Sequence, residues 1–142
     1  MRFRELCIPI AGLGVVLLLS ACSGSTPTVE YINPASVEKV SDGALPRITL
    51  TEAAVQRLAI ATDVVRASDD GYVVPSAAVL ITTDGSYWVY TNPEPRVYLR
   101  SEIRPVVEAD KQAFFAEGPA VGTPVVVTGV PELYGTETGI GK

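Results

Sequence analysis

Few side chains in this sequence are suited to catalysis or to holding a soft metal ion. The 142 residues include two cysteines, one methionine and no histidine. Without an imidazole, no Ser–His or Cys–His nucleophile pair can form, and the usual ligand sets of zinc and copper sites are incomplete. The neighbouring carboxylates Asp69 and Asp70 could serve acid–base chemistry, but beside Gly71 they are better explained as turn formers. We therefore expect a protein that is not an enzyme and has no metal and no cofactor.

Cys22 is the residue with the most specific predicted chemistry. Residues 1–22 have the parts of an export signal, with two arginines near the start and an apolar run from Ile8 to Leu19. The run is 12 residues long, whereas a membrane span needs about 20. It ends in Leu19-Ser20-Ala21-Cys22, which resembles the bacterial lipoprotein box. In that box the cysteine thiol receives a diacylglyceryl group before the signal is cleaved.

Lipidation of Cys22 predicts an extracytoplasmic protein anchored in the lipid of a bacterial membrane, since two or more acyl chains anchor a protein stably. The alternatives are an ordinary cleaved signal or an anchor that stays attached. Cleavage before Cys22 leaves 121 residues with 9 basic and 15 acidic side chains, a net charge of −6. Such an acidic chain is a poor candidate for binding nucleic acid.

Composition divides the remaining chain into a linker, one domain and a tail. Residues 23–46 contain 13 Ser, Gly, Thr, Pro, Asn or Asp among 24 residues, which predicts a flexible linker. The patch at residues 29–32 could add a strand to the domain, but we favour a loose segment. The domain is expected at 47–134 and a loose tail at 135–142.

The pattern within residues 47–134 predicts a mainly β fold. Short strands separated by turns favour a small β-barrel or sandwich of about six to eight strands. One short α-helix is expected at about residues 52–59, with Thr51 as its N-cap. Asp84-Gly85 is a hairpin signal.

Aromatic and charged side chains on two predicted strands are the candidates for contact with a partner. Trp88 stands in an aromatic group, and aromatic residues concentrate at interface hot spots, although they fill a core more often. The run at 96–104 alternates, and one of its sides carries Tyr98, Arg100, Glu102 and Arg104. That side could face a partner or be a solvated face with cross-strand charge pairs, which we prefer. The residues selected as partner-binding candidates are Trp88, Tyr90, Tyr98 and Arg100.

The order of several segments carries a family resemblance. These segments are Ile48-Thr49-Leu50-Thr51 through Leu58-Ala59-Ile60-Ala61-Thr62, Val74-Pro75-Ser76-Ala77-Ala78-Val79-Leu80, Asp84-Gly85 with Trp88-Val89-Tyr90, and Gly118-Pro119-Ala120-Val121-Gly122 ahead of Pro124-Val125-Val126-Val127-Thr128. Together they resemble the membrane-proximal domain of periplasmic adaptor proteins, the membrane fusion proteins of tripartite efflux pumps. The lipoyl-like domain, helical hairpin and β-barrel of a full adaptor have no counterpart here, because only Ala67 to Gly71 joins the two halves.

The resemblance implies a non-enzymatic accessory or adaptor-like subunit that docks on an efflux or transport complex. Its partner would be a transporter or a companion adaptor protein. A methionine-based metal relay is not expected, because the only methionine is Met1 in the predicted signal. The alternative is a surface lipoprotein that acts as a binding module for a small ligand or a protein.

Overall fold

A computed structural model describes residues 32–39 and 44–140. The predicted signal, Cys22 and most of the predicted linker lie outside the described residues. The described strands form two antiparallel sheets with open edges, so the predicted mainly β fold is confirmed, and of the two predicted forms, barrel or sandwich, it is the sandwich.

Eleven strands, two α-helices and one 3₁₀ turn make up the described part of the chain. The strands are β1 (Ala35–Glu38), β2 (Arg47–Leu50), β3 (Ala61–Val64), β4 (Arg66–Ser68), β5 (Gly71–Pro75), β6 (Leu80–Ile81), β7 (Tyr87–Glu94), β8 (Val97–Glu102), β9 (Arg104–Ala109), β10 (Gln112–Glu117) and β11 (Pro124–Thr128). The helices are α1 (Glu52–Arg57) and α2 (Val130–Thr138), and the 3₁₀ turn is Ser76–Ala78.

The larger sheet is packed on both of its faces. It has seven strands in the order β1-β2-β8-β7-β11-β3, with β6 beside β7. Neighbouring residues on one strand enter different cores: Val89 belongs to one buried cluster and Tyr90 to the other. This is the alternation expected when both faces of a strand are covered.

Two apolar clusters hold these layers together. The first, between the larger sheet and the helices, contains Ile48, Leu50, Ala54, Tyr90, Tyr98, Val126, Val130 and Leu133. The second, between the two sheets, contains Val65, Val74, Ala78, Val89, Ile103, Ala113, Phe115 and Val125. The smaller sheet has the order β4-β5-β10-β9 and covers one face of the larger sheet.

The chain passes from the larger sheet to the smaller one at Val65 and again at Ile103. Val65 lies between β3 and β4, Ile103 lies between β8 and β9, and each is 1% exposed in the second cluster. Residues 60–67 and 96–104 each have a continuous β-strand pattern in the sequence, and each run is split into two strands that belong to different sheets. The β-strand pattern continues through both crossings, so the sequence pattern did not reveal the change of sheet.

The helix predicted at 52–59 is confirmed, and it begins as expected. The hydroxyl of Thr51 accepts a hydrogen bond from the backbone N–H of Ala54 at 3.2 Å. The helix ends at Arg57, earlier than predicted, and Ala59 already has φ 49°.

The folded unit extends beyond the predicted boundaries at 47 and 134. Strand β1 lies within the predicted linker and pairs with β2, from Ala35 opposite Leu50 to Glu38 opposite Arg47. Helix α2 continues past Tyr134 into the predicted tail and ends at Thr138. In residues 32–39 and 44–140, no helix has the length and apolar character needed to cross a membrane.

Candidate functional site

Two of the four candidate partner-binding residues are core residues. Tyr90 is 0% exposed and Tyr98 is 3% exposed. Both belong to the cluster that contains Leu133 of α2. The prediction that a partner contacts these two tyrosines is corrected, because the helical layer lies over the strand face that carries them.

Trp88 and Arg100 lie on the same strand face and meet in one group of side chains. We call this group the Arg100 cluster and define it as Trp88, Tyr90, Arg100, Tyr134 and Glu137. Strands β7 and β8 place Arg100 opposite Tyr90. Helix α2 supplies Tyr134 and Glu137 from above the sheet.

The carboxylate of Glu137 is bound through both of its oxygens. Nη2 of Arg100 lies 3.0 Å from Oε1 of Glu137, and the two side chains are 15% and 4% exposed. The hydroxyl of Tyr90 donates a hydrogen bond to Oε2 of Glu137. A buried carboxylate is stable only when it is paired and hydrogen-bonded, and this arrangement supplies both.

The Arg100 guanidinium also lies over aromatic rings. Its Cζ atom is 4.4 Å from the ring centroid of Trp88 and 5.8 Å from that of Tyr134, distances typical of cation–π contacts. The indole N–H of Trp88 donates to the hydroxyl of Thr82 at 3.2 Å, which fixes the ring. The Nε atom of Arg100 is buried and has no hydrogen-bond partner among the described residues.

The Arg100 cluster has a structural role, because its contacts hold helix α2 on the larger sheet. Burial raises the pKa of Tyr90 far above its ordinary value, and the hydrogen bond to Glu137 raises it further, so the phenol stays neutral. The ion pair joins α2 to the middle of the larger sheet. The described residues contain no group of three His, Cys, Asp or Glu side chains able to hold a metal ion.

Sequence reasoning missed Tyr134 and Glu137 as members of this cluster. The sequence does contain a signal for helix α2. Pro131 lies in its first turn, and Gly139, which has φ 73°, follows its last residue. Within such a helix Leu133 and Glu137 are four residues apart and share a face. A helix over 130–138 therefore directs Glu137 to the sheet together with Leu133.

A second surface lies on the outer side of the smaller sheet. We call it the open face and define it as Val73, Pro105, Val107, Phe114 and Ala116, which line one groove. The register places Phe114 between Val73 and Val107 on neighbouring strands, forming a row across the sheet. Val107 is 64% exposed and Phe114 is partly exposed. The alternate residues Val74, Ala113 and Val106 point to the second core cluster.

Two carboxylates border the open face. Asp69 and Asp70 form the turn between β4 and β5 and line the same groove. Both are exposed, and neither makes an ion pair with another described residue. The turn requires glycine next to them, because Gly71 has φ 143° and an added Cβ would lie 2.5 Å from the carbonyl oxygen of Phe115.

The Arg100 cluster and the open face differ in what they offer to another molecule. The first lies between α2 and the sheet, and most of its polar groups are satisfied within the chain. The second is an apolar groove bordered by negative charge, in which Pro105, Val107 and Ala116 are exposed and Phe114 is partly exposed, while Val73 is buried at its base. Of the two surfaces, the open face is the better suited to binding a partner.

Comparison of this chain with protein-family models, with curated proteins and with solved structures finds no match.

Proposed function

We propose that this chain is a non-enzymatic lipoprotein, anchored in a bacterial membrane through Cys22, that docks on a transport complex as an accessory or adaptor-like subunit. The open face is the observation that supports docking. The lipobox-like sequence ending at Cys22 supports the anchor, and the ordered resemblance to the adaptor membrane-proximal domain supports a transporter or companion adaptor as the partner.

The open face differs from the other exposed apolar side chains of the domain. Single exposed residues are far apart in the chain, with Ile81 on β6 and Val121 in the turn before β11, and scattered apolar residues are ordinary on protein surfaces. The open face instead joins apolar side chains from three adjacent strands into one groove. A contiguous apolar patch with a polar rim is the usual mark of an interaction site.

The number of residues between Cys22 and β1 limits how far the domain can lie from the membrane. Twelve residues separate Cys22 from Ala35, the first residue of β1. A fully extended chain of that length spans at most about 40 Å. A lipid at Cys22 would therefore hold the domain within reach of the extracytoplasmic part of a membrane protein.

The alternative function, binding of a small apolar ligand, needs an enclosed cavity. The apolar side chains inside the described domain pack against one another in two clusters. The open face is a groove across a sheet, a shape that suits a protein segment better than a small molecule. We therefore favour a protein partner.

Site-specific photocrosslinking tests the proposal. A photoreactive residue is placed at position 107 of the full-length chain, and at Ile81 as a control on an exposed strand of the other sheet. After irradiation of native membranes, position 107 should give a discrete adduct whose second component is a membrane transporter or an adaptor. Equal adducts at both positions, or no adduct at position 107, would contradict docking through the open face.

A further inference from the structure

We propose that the segment covering the open face is an apolar protein segment that carries lysine or arginine side chains. This inference rests on the proposed docking function and adds the chemistry of the partner. It follows from the apolar row of Val73, Phe114 and Val107 and from the carboxylates of Asp69 and Asp70 in the same groove.

Two arginines on the strands of the smaller sheet, Arg66 opposite Val73 and Arg104 opposite Glu117, each make an ion pair within the domain. Arg66 of the edge strand β4 lies 2.6 Å from a carboxylate oxygen of Asp63. Arg104 at the start of β9 lies 2.9 Å from a carboxylate oxygen of Glu117. Neither neutralises Asp69 or Asp70.

Covering the groove without supplying a counterion would be unfavourable. A partner that lies on the apolar row removes water from the neighbouring carboxylates, and burying a charge is costly unless it is paired. A basic side chain beside the apolar segment of the partner offsets that cost with a charge-assisted hydrogen bond. Charge complementarity of this kind also selects the partner and speeds association.

The same charges disfavour two other occupants. An anionic membrane surface attracts basic segments, and it would repel the carboxylates beside this groove. A second copy packed on the same face would bring its own Asp69 and Asp70 to the same contact, because a two-fold interface uses identical patches. Like charges placed opposite each other weaken such a contact.

A peptide selection measures the predicted chemistry directly. The full-length lipoprotein in detergent micelles is the target for a displayed library of random peptides. Binders that also bind the Val107→Asn variant, which removes apolar surface without adding charge, are discarded, so that the remaining peptides depend on the open face. These peptides should combine aliphatic or aromatic residues with an excess of lysine and arginine.

Affinities of selected peptides then test the two carboxylates. The Asp69→Asn, Asp70→Asn double variant should bind them about fivefold more weakly, and asparagine keeps the turn because it is also a turn former. Glu132→Gln removes an exposed negative charge from α2 and should leave the affinities unchanged. Peptides that depend on Val107 but show no basic excess, or no response to the double variant, would overturn this inference and leave docking intact.

Other outcomes separate the remaining occupants. If no peptide depends on Val107, the open face is not a docking surface, and both this inference and the proposed function fail. Binding to vesicles of phosphatidylglycerol and phosphatidylcholine that is lost in Val107→Asn would overturn the inference in favour of lipid. Dimerisation that is lost in the same variant, measured by sedimentation, would overturn it in favour of a second copy.

Discussion

Oε1 of Glu137 lies 3.0 Å from Nη2 of Arg100, and only 4% of the Glu137 side chain is exposed. The pair joins the last turn of α2 to strand β8 of the larger sheet. Because the Tyr90 hydroxyl binds the other carboxylate oxygen, the helix is held at two points of the sheet. Helix α2 therefore covers the half of the predicted stripe that carries Tyr98 and Arg100, whereas Glu102 and Arg104 stay exposed and form ion pairs.

Removing Glu137 should destabilise the domain strongly. Glu137→Ala leaves Arg100 buried without its counterion, and breaking a buried pair in this way costs about 3–5 kcal/mol. Urea unfolding followed by the fluorescence of Trp88, the only tryptophan, measures the loss. Glu132→Ala on the exposed side of the same helix is the matched control and should change stability by less than about 0.5 kcal/mol.

A double variant separates the ion pair from simple loss of packing. Replacing both Arg100 and Glu137 with methionine should recover much of the stability lost in Glu137→Ala, since an apolar replacement of a buried pair is often close to neutral. If Glu137→Ala were no more destabilising than Glu132→Ala, the Arg100–Glu137 ion pair would not stabilise the domain in the way described.

Tyr90 should make the domain sensitive to alkaline pH. Burial, followed by the hydrogen bond to Glu137, raises the pKa of Tyr90 in the folded state above its ordinary value of 10. The unfolded state therefore loses this proton first, and the stabilisation present below about pH 10 declines as the pH rises further. Free energies of unfolding measured from about pH 8 to pH 11 should show this decline.

Tyr90→Phe should remove most of this pH dependence and cost about 1–2 kcal/mol at neutral pH, where the hydroxyl is bonded to Glu137. Tyr98→Phe is the comparison, because burial alone raises the pKa of Tyr98. Its effect on the alkaline decline should be smaller. An equally steep decline in wild type and in Tyr90→Phe would show that Tyr90 does not carry the effect.

Gly71 should be required by the turn that carries Asp69 and Asp70. Gly71→Ala places a Cβ 2.5 Å from the carbonyl oxygen of Phe115 at φ 143°. We expect a loss of about 2–3 kcal/mol in thermal or urea unfolding. Gly85 also has a positive φ, but nothing lies within 4 Å of an added Cβ there, so Gly85→Ala should cost about 1 kcal/mol. Equal losses at the two positions would rule out the close contact at Gly71.

The local features of the fold could be predicted because short-range chemistry determines them. Thr51 caps α1 through its own side chain. Asp84-Gly85 lies between β6 and β7, where Gly85 has φ 81°. Each of these signals depends only on residues a few positions apart, so the sequence is sufficient to read them.

The crossings and the covered face could not be predicted because they depend on distant parts of the chain. The apolar character of Val65 and Ile103 is the same in a continuous strand as at a change of sheet. The burial of Tyr98 depends on helix α2, about thirty residues later in the chain, and local sequence signals do not show which strands that helix covers. The open face was missed because Val107 and Phe114 read as ordinary strand residues until the sheet order is known.

Cys22 lies outside the described residues, and its role remains a prediction from the sequence. Cys22→Ser removes the only thiol available for the thioether at the lipobox-like site. We expect the variant to leave the membrane fraction or to remain as an unprocessed precursor, as judged by fractionation and immunoblotting. Ser20→Ala, inside the same segment, is the control and should stay in the membrane fraction. Normal processing and membrane retention of Cys22→Ser would contradict the lipid anchor.

The central claim is that the open face of the smaller sheet docks on a transport complex. Its most direct test is the amount of transporter or adaptor recovered with the full-length chain after crosslinking in native membranes, compared between Val107→Glu and Ile81→Glu. Both positions are exposed on strands, at 64% and 56%, so both variants should fold. We predict that Val107→Glu lowers recovery by about tenfold, as expected when a charge replaces an apolar interface residue, and that Ile81→Glu leaves it unchanged. Full recovery with Val107→Glu would contradict the claim.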